Sequence, residues 1–269
     1  MRWWQVDLTD ADAVVRLVTR VRPDAIYHVA GHASGSRDLD AVLPSLHDNL
    51  VAAVNVLIAA AQTECPLVLL TGSLEEPEPV AGEPVPTSPY AAAKHAAGSF
   101  GRMFVALHDL PVVNLRVFMV YGPGQTDQTK LVPYVVRSLL RGEPPQLSSG
   151  SRPVDWVYVE DVADAFLTAA RRPDLAGETI DVGSGDLVTV RSLVEQIAET
   201  VGTPVQPEFG RLPDRPLETV RAANVARTRE QLGWQPRTSL EDGLSATVAW
   251  VEAEVARESS STVSSRATK

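Results

Sequence analysis

The chain has 269 residues, 44% of them hydrophobic and 22% charged, which are the proportions of a globular α/β protein of one large or two modest domains, not of a disordered one. Its net charge is −10 and acidic residues outnumber basic ones in both halves, so neither half offers a polybasic face and nucleic-acid binding is not expected. Single apolar runs fall short of the roughly 18 residues of a membrane helix, the start Met1–Asp7 lacks the apolar core of a secretion signal, and one cysteine, Cys65, excludes a disulfide framework; together these point to the cytoplasm and away from membranes.

In chain order, Trp3–Val6 reads as the end of a strand, and Asp10 caps a helix that runs to about Val21. Arg22-Pro23-Asp24 is a turn, Ala25–Ala30 a strand, and Gly31 its end. A long Ala/Val/Leu helix covers about Ser45–Gln62. Pro66–Thr71 is apolar on both faces, as strands of a parallel sheet are. A Pro/Glu-rich loop follows over 75–87, Ser88-Pro89 opens a helix to about His108, and Val112–Val120 is the next strand. This alternation predicts a Rossmann-like, doubly wound parallel sheet.

Beyond Gly122-Pro123-Gly124 the pattern changes. Helices near 129–141, 160–171, 189–201 and 240–255 alternate with short strands and Pro-rich loops. The boundaries expected are 1–125 for the doubly wound part, with some of 150–190 returning to it, 126–256 for a smaller substrate-facing part, and 257–269, rich in serine, for a disordered tail.

The segment Ser88-Pro89-Tyr90-Ala91-Ala92-Ala93-Lys94 carries the strongest chemical signal. Residues four apart share a helix face, and a lysine ammonium close to a tyrosine favours the phenolate, drawing its pKa down from about 10 toward the working range. A half-buried tyrosine and a solvated lysine on an ordinary helix would look the same. Upstream, Ser73 lies at the carboxyl end of a predicted parallel strand, where such folds bind ligands. It can hold a carbonyl that Tyr90 protonates, or it can be a turn serine. The five histidines show no metal-ligand pairing, so no metal site is expected.

Taken with Tyr27-His28-Val29-Ala30, Asn49, Tyr121-Gly122-Pro123-Gly124, Arg152–Val162, Val182-Gly183-Ser184-Gly185 and Leu232-Gly233-Trp234, these segments resemble, in order and over nearly the whole chain, the extended short-chain dehydrogenase/reductase family of NAD-dependent nucleotide-sugar epimerases, dehydratases and reductases. The resemblance implies NAD or NADP as cofactor, a nucleotide-diphosphate sugar as substrate and a homodimer. It implies Tyr90 as the acid/base, Lys94 as its tuner and the holder of the nicotinamide ribose, and Ser73 as the carbonyl's orienting group. Asp7 and Leu8 would flank the adenine, Ala30 and Gly31 the pyrophosphate, with Asn49 and Val117 beside the cofactor. Glu75 stands where dehydratases place a glutamate base. Met119, Lys130, Arg152 and Arg215 would meet the substrate, the arginines because a guanidinium binds phosphate oxygens in pairs.

The chain departs from the family's pattern in two ways. No Gly-x-x-Gly-x-x-Gly loop is present, and the pattern begins at what corresponds to the third strand. NAD(P) binding is therefore expected to be weakened or lost, and the strand at Ala25–Ala30 to have an unpaired edge; a misplaced start, a degenerate paralogue or a covering partner chain would each account for this. Leu74 also stands where sugar-nucleotide 4,6-dehydratases carry Asp or Ser, and leucine transfers no proton. Gly72-Ser73-Leu74-Glu75-Glu76 looks most like a stretch of GDP-4-keto-6-deoxymannose reductases. The leading expectation is accordingly reduction of the 4-keto group of a nucleotide-linked 6-deoxy sugar; the alternatives are a 4-epimerase or 4,6-dehydratase, and a non-catalytic nucleotide-sugar-binding or partner protein.

Overall fold

The structure is a computed structural model describing residues 1–77, 85–215, 217–218 and 220–266, with side chains described through Glu258. Residues 78–84 of the expected Pro/Glu-rich loop lie outside the described ones.

Helix α1 (Ala11–Val21) begins where the sequence places it, because the Asp10 carboxylate accepts from Ala13 N at 2.9 Å. It ends on Arg22 in the left-handed region, φ 48°. Strand β1 (Ile26–His28) follows. The next helical stretch starts earlier than expected and is composite: a 3₁₀ turn at Leu39–Ala41, α2 (Val42–Ser45), a π-helical turn at Leu46–Val51 and α3 (Ala52–Gln62). By length and composition Leu39–Gln62 is apolar enough to cross a membrane, a feature the reading of single apolar runs did not register. Its second half is instead a core helix, with Val56, Leu57, Ala59 and Ala60 buried beside Val14 and Val18 of α1.

Strand β2 (Val68–Ser73) leads to α4 (Pro89–His108). The Ser88 hydroxyl caps α4 by accepting from Ala91 N at 3.0 Å, and Pro89 fills the first turn. Gly98 and Gly101 let α4 lie close on the sheet: a Cβ at Gly101 would stand 3.0 Å from Leu70 and one at Gly98 3.2 Å from Asn114.

The strand expected over Val112–Val120 is two strands. β3 (Val112–Val117) stays with β2, while β4 (Met119–Tyr121) crosses to a second sheet. The break is at Phe118, whose N–H donates to Val182 O at 2.9 Å. Then come α5 (Leu131–Leu140), β5 (Pro153–Tyr158), α6 (Val159–Ala169), β6 (Thr179–Val182), β7 (Leu187–Thr189), α7 (Val190–Val201), α8 (Val225–Leu232) and α9 (Leu240–Arg266). Helix α8 escaped the sequence reading: it is short and strongly polar, and its start is marked by Asn224, which accepts from Arg227 N at 3.0 Å. The last helix continues through residues read as a tail, and Glu258 accepts from Arg137 at 2.9 and 3.0 Å.

The first sheet has the order β1-β2-β3-β6, all parallel, the α/β architecture the alternation predicted. The second has β4 parallel and β7 antiparallel to β5. It packs with α5, α7 and α9 around Val135, Leu139, Leu193, Ile197 and Leu244. Among the described residues, Trp3–Val6 forms no strand, because a strand needs a paired neighbour and none lies beside it. Trp3 is 86% exposed, and Trp4 lies under the Arg20 guanidinium, 4.7 Å from the ring centroid. β1 likewise has β2 on one side and no described strand on the other.

One buried carboxylate ties the two sheets together. Asp155 of β5 accepts from Ser184 N at 2.6 Å, Ser184 Oγ at 2.8 Å, Gly185 N at 2.9 Å and Ala223 N at 2.8 Å. Gly183 is glycine because a Cβ there would stand 2.6 Å from Ala223 Cβ and 2.8 Å from Asp155 Oδ2. The Val182–Gly185 motif is thus the seat of a structural carboxylate. Asp155→Ala strands these donors at about 1–3 kcal/mol each; urea denaturation is expected to show a loss of about 3 kcal/mol or more, with the secondary structure retained.

Candidate functional site

The site forms where β1, β2 and β3 end. Parallel register puts Ser73 beside Val117, as it puts His28 beside Leu70 earlier along the sheet, so Ser73, Val117 and the Ala30-Gly31 exit from β1 gather at one end of the sheet. This is where open parallel sheets leave a crevice for ligands.

The backbone around Gly72 is held from both sides. Lys94 Nζ donates to Thr71 O at 2.9 Å, and Ser73 N donates to Glu76 Oε1 at 2.8 Å. A Cβ on Gly72 would fall against Glu76 Oε1 and stand 2.9 Å from the Asn114 amide. The Ser73 hydroxyl accepts from Glu75 N at 3.2 Å and lies near enough to Tyr90 to favour its phenolate. Burial outweighs it: the Tyr90 phenol is pushed up to about 12, with Glu75 and Glu76 adding to the rise.

This corrects one expectation. Lys94 was expected to draw the tyrosine's pKa down. Its ammonium stands 5.8 Å from the Tyr90 ring centroid and spends its hydrogen bond on Thr71, so here Ser73 is the group that favours the phenolate. Lys94 itself is 6% exposed, and burial lowers it to about 8, with Glu76 opposing the fall. At neutral pH Tyr90 is a proton donor beside a cation.

Beneath them, Asn49 in the π-helical turn is buried. Its Nδ2 donates to His32 O at 3.1 Å and Ser45 O at 3.2 Å, while its Oδ1 has no hydrogen-bond partner. A Cβ on Gly31 would stand 2.5 Å from that oxygen and 3.6 Å from Lys94 Nζ, so only glycine fits at the exit from β1. Ala30 and Gly31 are themselves exposed there. Asp7 is exposed too, accepting from Thr9 N at 2.8 Å and Thr9 Oγ1 at 2.7 Å, and the Leu8 carbonyl accepts from Asn55 at 2.9 Å.

Glu75 is hydrogen-bonded to the cap of α4 and lines a neighbouring cleft. Its Oε2 accepts from Ser88 Oγ at 3.0 Å, joining the end of β2 to the cap of α4. It lines a cleft with Gly35, Arg37, Arg152, Arg215 and Glu218. Two of the three expected basic residues therefore meet there; Arg152 Nη1 pairs with Glu218 at 2.9 Å, and Arg215 lies against Gly35. Lys130 instead donates to Ala33 O at 2.8 Å, bridging to the loop after β1. Met119 is half-buried between two apolar clusters opposite Trp156, a packing residue in this structure and not a polar substrate contact.

Two residues in this region escaped the sequence reading. Glu76, 3% exposed, was passed over because an acidic loop looks solvated. His28, one of the five histidines without metal-ligand pairing, is buried, and its Nε2 has no partner.

The family model described as the NAD dependent epimerase/dehydratase family matches residues 2–183. The chain belongs to this family. It is 35% identical over 257 residues to the UDP-glucose 4-epimerase of Mycolicibacterium smegmatis, covering 91% of this chain and 80% of that one. It is 27% identical over 275 residues to the dTDP-glucose 4,6-dehydratase of Xanthomonas campestris pv. campestris, covering 91% and 77%. The crystal structure of the Thermus thermophilus UDP-glucose 4-epimerase in complex with NAD superposes with a TM-score of 0.79 at 28% identity, over 92% of this chain and 83% of that one. The residues at the β1 exit fit a family member's dinucleotide: a side-chain-free Gly31 backbone lies over the unpartnered Asn49 oxygen, with a lysine and a tyrosine beside it.

Burial and the Lys94 charge press the His28 imidazole down to about 4. Its unfolded value is near 6.5, so the unfolded chain binds the extra proton first as pH falls. Stability is then full above pH 6.5 and is lost between 6.5 and 4, by on the order of 3 kcal/mol from this group. Denaturant titrations across that window are expected to show the loss, and His28→Leu to flatten it.

Proposed function

We propose that the protein is a nucleotide-sugar C4 oxidoreductase acting as a UDP-hexose 4-epimerase. The observation that carries this reading is the convergence of Ser73, Tyr90 and the Lys94 ammonium at the crevice end of the sheet, with Lys94 Nζ 5.8 Å from the Tyr90 ring centroid. A second observation weighs against the dehydratase alternative. Leu74 is buried with Phe118, Val157 and Ala223. Elimination across C5 and C6 of the sugar needs an acid as well as a base, and a buried leucine supplies no proton in the acid's place.

In this reading Tyr90 and Lys94 hold the nicotinamide ribose, Ala30 and Gly31 lie along the pyrophosphate, and Asp7 and Leu8 flank the adenine. A bound nicotinamide supplies a hydride acceptor that becomes the donor. With the positive charge of a bound oxidised nicotinamide added to that of Lys94 to favour the phenolate against burial, Tyr90 would take the O4 proton as C4 becomes a ketone and would return it when C4 is reduced on its opposite face. Ser73 donates a hydrogen bond to O4, and Lys94 keeps a positive charge near the developing phenolate. Arg152 and Arg215 meet the diphosphate.

A second reading, net reduction of a nucleotide-linked 4-keto sugar by NAD(P)H, draws on the Tyr90 phenol's being held protonated, the state a reductase needs, and on the Gly72–Glu76 stretch. The two separate in one assay. With UDP-glucose and catalytic NAD, the epimerase converts substrate to UDP-galactose with no added reductant. Stoichiometric loss of NAD(P)H on a 4-keto-6-deoxy sugar nucleotide, with no such conversion, would establish the second reading in its place. Tyr90→Phe is expected to lower turnover by about 10² or more, since general-acid help is worth 10²–10⁴; an unchanged rate would remove Tyr90 from the chemistry.

A further inference from the structure

Glu76 is a buried carboxylate that the mechanism above does not use. It sits one residue from Glu75 and three from Ser73, in a stretch whose acidity suggests a solvated loop, yet it is 3% exposed. Its Oε1 accepts from Ser73 N at 2.8 Å, and its Oε2 stands 3.9 Å from Arg116 Nε of β3. Arg116 in turn pairs with Asp181 of β6 at 3.0 Å. On the other flank of Gly72, Lys94 holds the Thr71 carbonyl at 2.9 Å. An anion and a cation thus grip the two peptide groups on either side of one glycine, where an added Cβ would fall against the carboxylate.

We infer that Glu76 is a positioning residue for the reaction: with Lys94 it clamps the Gly72 backbone so that the Ser73 hydroxyl faces Tyr90, and it sets a buried carboxylate opposite the Lys94 ammonium across that glycine. This rests on the oxidoreductase reading above for its role in turnover, but not for the clamp itself.

The charged and titratable groups that face the pair are few. Arg116 approaches Glu76 from β3, with Asp181 behind it on β6. Lys94, His95 and Tyr90 face it from α4. Lys94 meets His28 from β1. Burial raises the Glu76 carboxyl, and its bond from Ser73 together with Arg116, His95 and Lys94 oppose the rise; the Ser73 N–H it accepts from and the Arg116 guanidinium 3.9 Å away are the partners of an anion. That anion raises both Lys94 and Tyr90. A merely structural glutamate would hold the turn and leave the lysine's titration alone.

The chain has three lysines, Lys94, Lys130 and Lys269, so brief acetylation with acetic anhydride across pH 6–11, read by peptide mass spectrometry, follows Lys94 apart from the others. In the wild type the Lys94 midpoint is expected near 8, where burial lowers it. Glu76→Gln keeps an acceptor for Ser73 N and removes the charge. Its Lys94 midpoint is expected to fall by about half a unit or more, as loss of a nearby opposite charge requires, with Lys130 unmoved as the internal control. The alkaline limb of kcat should move down in pH with it while KM stays put. An unshifted Lys94 midpoint in folded Glu76→Gln overturns the inference. Should Glu76→Gln fail to fold, Glu76→Asp takes its place: it keeps the charge but is too short for Ser73 N, so Lys94 should titrate as in the wild type while kcat falls about tenfold or more, and full activity in this variant overturns the clamp. If the Lys94 shift is found but no variant, wild type included, turns over a UDP-hexose, the clamp stands and the proposed reaction fails.

Discussion

Two opposite charges close on the peptide groups that flank Gly72, and the geometry of the crevice follows from that grip. A strand that simply ran off the end of the sheet would leave its last residues free to pivot, and the hydroxyl of Ser73 would sample several directions. Here Thr71 O is engaged by Lys94 and Ser73 N by Glu76, so both peptide planes are fixed before any ligand arrives. Burial makes the grip effective. In a low dielectric each charge is costly alone and favourable beside its partner, so the pair organises the site and also sets its protonation.

The end of β2 and the turn after it then divide labour along three consecutive residues. Ser73 turns toward Tyr90, Leu74 into the apolar cluster with Phe118 and Val157, and Glu75 toward the Ser88 cap. Glu75 thereby couples the end of β2 to the first turn of α4, the turn that carries Tyr90. Arg152 and Arg215 stand beyond it, reached from the second sheet and from the loop that carries Arg215. Asp155 sets the relation between the sheets by gathering Ser184, Gly185 and Ala223 onto β5. The crevice is therefore framed by hydrogen-bonded carboxylates more than by apolar packing.

Much of this is legible in the residues. The helix starts at Asp10 and Ser88 are local hydrogen bonds that short motifs announce, and strands apolar on both faces announce a buried parallel sheet. Tyr90 and Lys94 fall on one helix face because their spacing is a property of the helix. Less legible are features decided across the chain. Phe118 divides one apolar run into two strands because its N–H is claimed by Val182, far along the chain, and Trp3–Val6 is no strand because strands exist only in pairs. The burial of Glu76 depends on Arg116 from another strand. The direction of the Tyr90 shift was misread for the same reason: helix spacing brings the lysine near, but only the packed site shows that the Thr71 carbonyl takes its hydrogen bond and that burial outweighs the charge.

The central claim is that Ser73 and Tyr90 act on one substrate oxygen at the end of β2. The most direct test is a double-mutant cycle on kcat/KM with Ser73→Ala, Tyr90→Phe and the two combined. Groups that serve the same atom are strongly non-additive. The account expects the double variant to be scarcely slower than Tyr90→Phe alone; losses that multiply in full would mean the two side chains work in separate places, and would contradict it.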